Sequence, residues 1–83
     1  MYYVYILYSN NRDRFYTGHT SDVGSRFIRH NLGKNRSTKS GRPWRLVYAE
    51  SFESRSEAVQ RERQIKSMKD RNYILELITT YVP

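Results

Sequence analysis

Residues 2–20 have the sequence YYVYILYSNNRDRFYTGHT, and this stretch decides the fold. Its first part, Tyr2 to Tyr8, is a run of aromatic and β-branched residues that is typical of a strand. Residues 9–13 are turn-forming, and Arg14 to Thr20 has the composition of a second strand. The stretch therefore predicts an opening β-hairpin.

The rest of the chain predicts one more strand and three helices. A helix is expected from Val23 to Asn31, with an N-cap at Ser21-Asp22 and an end near Gly33. A third strand is expected at residues 44–52, and SRSE at 54–57 is a capping box that begins a second helix. Asp70 is expected to cap a last helix through Ile78, with Leu75, Leu77 and Ile78 packing on the rest. The order β-β-α-β-α-α predicts a small single α/β domain over residues 1–83, with a three-stranded antiparallel or mixed sheet flanked by helices.

The charge of the chain indicates a polyanionic partner. Fifteen Lys and Arg residues stand against eight Asp and Glu residues, a formal net charge of +7. Such a balance favours nucleic acid, and we expect no membrane partner because no apolar run is long enough to span a bilayer. The start of the chain lacks the basic region of a signal peptide, so we expect a cytoplasmic protein. With no cysteine, a metal must be held by oxygen or imidazole.

Glu62 is a charged residue on the inward stripe of the second predicted helix. Helical spacing places it with Ala58, Val59, Ile65 and Met68, while the arginines and glutamines take the outer face. A carboxylate in that position needs an arginine, a hydrogen-bond network or a metal ion. Two interpretations stay open: Glu62 is half of a buried ion pair, with Arg26 as the expected partner, or it is a metal ligand.

The first predicted helix and the segment that follows it carry further candidates. Arg26 and His30 are four residues apart and flank the stripe of Val23 and Phe27. Arg26 is either a snorkelling or ion-paired residue or a phosphate ligand, and His30 is either structural or catalytic. The segment 33–43 is expected to be a mobile loop whose cations contact nucleic-acid phosphates: Lys34, Arg36, Lys39 and Arg42.

The two opening strands carry a resemblance. Tyr3-Val4-Tyr5 and Tyr16-Thr17-Gly18 resemble the paired signature of the GIY-YIG nuclease domain, with Tyr3 in place of its glycine and Thr17 in place of its isoleucine. The match continues in order through Arg26, His30 and Glu62. In length and in these residues the chain is similar to the small stand-alone bacterial members of the family.

The resemblance implies a metal-dependent endonuclease that hydrolyses phosphodiester bonds, with DNA favoured over RNA, in repair, recombination or structure-specific processing. It implies Mg²⁺ or Mn²⁺ as cofactor, held by Glu62. By the same resemblance Tyr16 takes the proton from water, Arg26 clamps the phosphate, and Tyr5 and His30 orient or relay. Gly18 is expected to mark a close approach to the strand. Two alternatives are a catalytically weak or inactive nucleic-acid-binding module in a larger assembly and a structural partner in repair or RNA processing.

Overall fold

Three antiparallel strands form the centre of the protein, whose computed structural model describes residues 1–81. Strand β1 (Tyr2–Ser9) lies between β2 (Arg14–Thr20) and β3 (Trp44–Phe52), so the order is β2-β1-β3. Both pairings are antiparallel. The predicted hairpin and the antiparallel form of the sheet are therefore confirmed, and β2 is an edge strand.

The three helices also lie where the sequence predicts them, α1 at Val23–Asn31, α2 at Arg55–Met68 and α3 at Arg71–Thr80. Each begins at a side chain that accepts a hydrogen bond from a backbone N–H of the first turn: Asp22, Ser54 and Asp70. Ser54 and Glu57 form the complete capping box. Among residues 1–81, no helix has the length and apolar character that crossing a bilayer requires.

The helices pack on both faces of the sheet. On one face Tyr5, Leu7 and Trp44 form a buried cluster with α1. On the other face Val4 packs with Ala58 and Ile65 of α2, and α3 adds partly buried residues to this cluster. Because successive side chains of a strand point to opposite faces, neighbouring residues of β1 and β2 face different helices.

Three details of the predicted helices are wrong. Met68 is exposed because α2 ends there, at a left-handed turn on Lys69 with φ of 49°. Leu75 is exposed, at the mouth of a shallow cleft that it lines together with Tyr8 and Val47 of the sheet. Arg61 is not on the outer face, because Glu50 of β3 accepts a hydrogen bond from its Nε at 3.0 Å and Tyr73 of α3 accepts another from its Nη1 at 2.8 Å.

The segment 33–43 is more regular than the mobile loop that the sequence predicts. Its middle forms a short 3-10 helix at Lys39–Gly41, preceded by a buried Thr38. Trp44 donates a hydrogen bond from Nε1 to the carbonyl of Thr38 at 2.7 Å, and the Asn31 side chain bonds both the N–H and the carbonyl of Trp44. These contacts anchor the segment to the end of α1 and the start of β3.

Candidate active site

A buried chain of hydrogen bonds joins Tyr5 of β1 to His30 of α1 and to Thr38. The Tyr5 hydroxyl lies 2.9 Å from Nε2 of His30, and Nδ1 of His30 lies 2.8 Å from the Thr38 hydroxyl. Thr38 donates its own hydrogen to the carbonyl of Asn35 at 3.4 Å. The Thr38 oxygen therefore accepts from Nδ1–H, and Nε2 accepts from the Tyr5 hydroxyl.

The pKa directions of this pair agree with that assignment. Burial raises the pKa of Tyr5, the neighbouring Tyr16 raises it further, and the positive charge of Arg26 opposes the change. Burial lowers the pKa of His30, and the charges of Arg26 and Arg29 lower it further. Tyr5 therefore keeps its proton and His30 stays neutral, so this pair is a positioning unit.

Gly18 makes room for two tyrosine rings. It pairs with Tyr5 across the β1–β2 ladder, and a Cβ added at Gly18 would lie 2.8 Å from the Tyr5 hydroxyl oxygen and 3.1 Å from Cε1 of Tyr16. The Tyr16 ring centroid lies 6.2 Å from that of Tyr5 and 4.8 Å from that of His30. The close approach expected at Gly18 is thus made by the protein's own aromatic rings.

The two tyrosines differ in their access to solvent. Tyr5 is 2% exposed, and its hydroxyl is bound to His30. Tyr16 is only partly buried. It borders an open cleft of about 390 Å³ between β2 and the α2–α3 junction, but its ring packs on the α1 face of the sheet beside His30. Of the two tyrosines, Tyr16 is therefore the one whose surface reaches solvent.

Glu62 is held by a histidine and a lysine. Its side chain is 16% exposed, with Oε1 lying 2.6 Å from Nδ1 of His19 and Oε2 lying 2.7 Å from Nζ of Lys66. A carboxylate only accepts hydrogen bonds, so Nδ1 of His19 carries a hydrogen. Burial raises the pKa of Glu62, but the hydrogen bonds from Lys66 and then His19 outweigh it, and the net pKa lies below its usual value. Glu62 is therefore ionised at neutral pH.

The expected ion pair between Glu62 and Arg26 is wrong. His19 pairs with Val4 across the ladder and shares its face of the sheet, where α2 packs, whereas α1 and its Arg26 lie on the opposite face. Both charges nevertheless act on one group, since Arg26 lowers and Glu62 raises the pKa of Tyr5. The predicted catalytic residues thus lie on both faces of the β1–β2 hairpin, and Arg26 and Glu62 do not form an ion pair with each other.

Arg26 is exposed and lines a second cleft. This cleft has a volume of about 290 Å³ and is also lined by Tyr2, His19, Thr20, Ser21 and Arg55. Within residues 1–81 no carboxylate lies within ion-pair distance of Arg26. Glu62 does not line this cleft, but His19, which does, is hydrogen-bonded to it, so the carboxylate lies one residue away from the cleft that Arg26 lines.

The cations predicted to bind nucleic acid lie on the α1 side of the molecule. Lys34, Arg36 and Lys39 are exposed. Arg42 is also exposed, but its Nε donates to the carbonyl of Lys39 at 2.9 Å and its guanidinium lies against Gly33, so it also stabilises the segment. These residues adjoin the buried site through Thr38 and line neither of the two clefts described above.

Comparison with known proteins identifies the family. The GIY-YIG catalytic domain matches residues 1–74. The chain belongs to the GIY-YIG family. Its domain is accordingly of a nuclease type, as the resemblance implies.

Several small GIY-YIG relatives are similar over most of the chain. The UPF0213 protein SERP0126 of Staphylococcus epidermidis is 45% identical over 67 residues, which cover 80% of each chain. The UPF0213 protein SSP2268 of Staphylococcus saprophyticus is 40% identical over 79 residues, which cover 94% of each chain. The solution NMR structure of the UPF0213 protein BH0048 from Bacillus halodurans is 37% identical, with a TM-score of 0.59, and the match covers 95% of this chain and 84% of that one.

The donor set of this GIY-YIG domain fits a largely hydrated divalent cation. No three His, Asp or Glu side chains cluster within residues 1–81, so Glu62 is a single carboxylate donor. Mg²⁺ is commonly held by one or two carboxylates, with water and substrate phosphates completing its octahedral coordination. Glu62 at the side of an open cleft suits that kind of site.

Two residues that contact the candidate site, His19 and Thr38, are not predicted from the sequence. His19 binds Glu62, and Thr38 fixes the tautomer of His30. Strand alternation offers a signal for His19, since it follows Gly18 and so points to the face opposite Tyr16. Thr38 lies in an irregular segment and carries no periodic signal.

Proposed function

We propose that this GIY-YIG protein is a metal-dependent endonuclease that hydrolyses phosphodiester bonds, in DNA in preference to RNA. The observation that carries the proposal is the placement of an ionised carboxylate, Glu62, and a guanidinium, Arg26, that has no carboxylate partner within residues 1–81, close enough for both charges to act on Tyr5 of the β1–β2 hairpin. The net charge of +7 supports a polyanionic substrate.

Arg26 supplies the positive charge that stabilises the phosphate during phosphodiester hydrolysis. Negative charge builds on the phosphoryl oxygens in the transition state, and a positioned cation that needs no rearrangement stabilises it. Arg26 is exposed and has no carboxylate partner among residues 1–81, so its donors are free for phosphate oxygens. An arginine can meet two of those oxygens at once.

Glu62 is the residue that would hold the metal. A bound Mg²⁺ or Mn²⁺ would supply Lewis-acid stabilisation and lower the pKa of a bound water. The hydrogen bond from His19 fixes the orientation of the carboxylate, a role that supporting groups commonly have around metal ligands. Lys66 is 54% exposed, so it can leave Oε2 for solvent when a cation approaches.

The tyrosines take different roles in this proposal. Tyr16 is the more exposed of the two tyrosines, so its hydroxyl is the one assigned to meet the attacking water and to receive or relay the proton. Tyr5 keeps its proton through burial and donates it to His30 as a hydrogen bond. Tyr5 and His30 therefore position the Tyr16 ring, which lies against both.

Replacing each tyrosine by phenylalanine tests this division of roles. Tyr16→Phe keeps the ring, and we expect it to reduce Mg²⁺- or Mn²⁺-dependent nicking of supercoiled plasmid by about 10²-fold, the usual range for acid–base groups. The melting temperature should stay close to the wild-type value because Tyr16 is only partly buried and its ring is retained.

Tyr5→Phe is the matched comparison. It leaves a buried His30 nitrogen without its donor, so its main effect should be a lower melting temperature. Full nicking by the Tyr16 variant would remove Tyr16 from the mechanism. Nucleic-acid binding without any nicking by the wild-type protein would instead support the binding-module alternative.

A further inference from the structure

The cleft that contains Arg26 holds a second unpaired arginine. Arg55 is the first residue of α2 and lines this cleft from the side opposite α1. Within residues 1–81 neither guanidinium has a carboxylate at ion-pair distance, and neither makes a side-chain hydrogen bond. Two like charges beside one cleft repel each other unless an anion lies between them.

The remaining lining of the cleft is polar and contains no acid. It consists of His19, Thr20, Ser21 and Tyr2, which offer hydroxyl and imidazole groups. The acids that follow closely in sequence are used elsewhere, because Asp22 caps α1 and Glu57 completes the capping box of α2. The cleft is therefore positive and rich in hydrogen-bond donors, as a phosphate site requires.

Helix stability does not account for Arg55. A cation in the first turn of a helix opposes the helix dipole, and acidic residues are preferred there. The position is exposed and leaves the capping box to Ser54 and Glu57, so Arg55 serves neither core packing nor capping. Arg55 is therefore available to a ligand in the cleft.

We propose that Arg55 binds the phosphate of the nucleic-acid strand next to the scissile phosphate that Arg26 contacts, so that Arg55 is a substrate-positioning residue. This inference rests on the proposed function, since it assigns Arg55 a part in holding the same substrate. His19 links the two positions, because its ring lines the cleft while its Nδ1 donates to Glu62. A strand that crosses the cleft would thus continue from Arg55 toward the Glu62 carboxylate.

The test is binding of a fluorescent single-stranded DNA oligonucleotide in EDTA, where no cleavage occurs, measured by anisotropy at several salt concentrations. Arg55→Gln should weaken binding by about 10-fold and lower the slope of log affinity against log salt by about 0.7, the value for one lost single-strand phosphate contact. The matched control is Arg63→Gln, which removes an exposed arginine of the same helix that lines none of the clefts above. It should change affinity by less than about 2-fold, as expected without a close phosphate contact.

One further measurement, set beside the binding and cleavage results, keeps this inference separate from the proposed function. In NMR titrations with inorganic phosphate, the amides of Thr20, Ser21 and Arg55 should shift in the wild type and shift less in Arg55→Gln. Equal binding by the Arg55 and Arg63 variants would overturn the phosphate site even if the enzyme cuts DNA. Arg55-dependent binding by a protein that never cleaves would support the site and refute the nuclease.

Discussion

Replacing Gly18 by alanine tests the packing at the centre of the candidate site. The added methyl group would lie 2.8 Å from the Tyr5 hydroxyl oxygen and 2.9 Å from its Cζ, closer than side chains come in folded proteins. Tyr5 is 2% exposed and bound to a fully buried His30, so its ring cannot turn toward solvent to relieve the contact. The ring must shift, and the Tyr5–His30 hydrogen bond must lengthen or break.

The free energy of unfolding should fall by about 3 kcal/mol in this variant. Overpacking a well-packed core costs about 1–3 kcal/mol. A buried donor or acceptor left without its partner costs about 1–3 kcal/mol. Alanine also lowers the conformational entropy of the unfolded chain relative to glycine, which stabilises the protein by about 0.4–1 kcal/mol. Subtracting this gain from the sum of the two costs leaves a net destabilisation of about 3 kcal/mol.

Urea unfolding followed by the fluorescence of Trp44, the single tryptophan, measures this change. Gly24→Ala is the matched control, because a Cβ there would meet only Asp22 Oδ1, at an ordinary 3.7 Å. Gly24 lies in the first turn of α1, so alanine should stabilise the protein by up to about 1 kcal/mol. Equal stability of the two variants, or a loss below about 1 kcal/mol for the Gly18 variant, would refute the packing described here.

Three further predictions concern charge. Arg26→Ala should reduce nicking by about 10²-fold or more. Its melting temperature should change by only a few degrees, because the Arg26 side chain is exposed and has no carboxylate partner within residues 1–81. An unfolded variant would contradict this prediction. The pKa of His30 is held below its ordinary value by burial, so below about pH 6.5 the unfolded chain binds a proton that the native state does not. The urea midpoint of unfolding should therefore decrease as the pH falls from about 6.5 toward the pKa of folded His30. His30→Asn should remove that part of the decrease. Replacing the exposed cations Lys34, Arg36 and Lys39 together by alanine should flatten the salt dependence of DNA affinity. An unchanged slope of log affinity against log salt would show that the segment 33–43 does not contact DNA.

Local patterns in the sequence predict the elements of this fold. The hairpin follows from two β-rich runs around a polar turn, and all three helix starts follow from side chains that cap their own first turn. The glycine at position 18, inside a strand, also predicts a close approach, which the structure shows to be that of the Tyr5 and Tyr16 rings. These features depend on residues near one another in sequence or in a simple antiparallel ladder.

The partners of Glu62 and His30 do not follow from local patterns. Whether Glu62 meets Arg26 or His19 depends on which face of the sheet α2 covers, and the helix sequence does not contain that information. Thr38 reaches His30 because the preceding segment turns back over the end of α1, a path set by contacts with Trp44. Tertiary packing therefore decides the chemistry around these two residues.

The most direct test of the account is the effect of Glu62→Gln on metal-dependent cleavage. The substitution keeps the shape and removes the charge, and the partners it affects, His19 and Lys66, are 28% and 54% exposed. Solvent screening makes such pairs weak, so the loss of stability should be about 1 kcal/mol or less. Glu76→Gln, an exposed change on α3, is the matched control.

Nicking of supercoiled plasmid is measured in Mg²⁺, in Mn²⁺ and in EDTA, with DNA binding measured in parallel. We expect the wild type and Glu76→Gln to nick DNA only with a divalent ion. Glu62→Gln should stay folded, bind DNA and lose nicking by about 10²-fold or more. A folded Glu62→Gln variant that keeps Mg²⁺-stimulated nicking would contradict the assignment of Glu62 as the metal-binding residue.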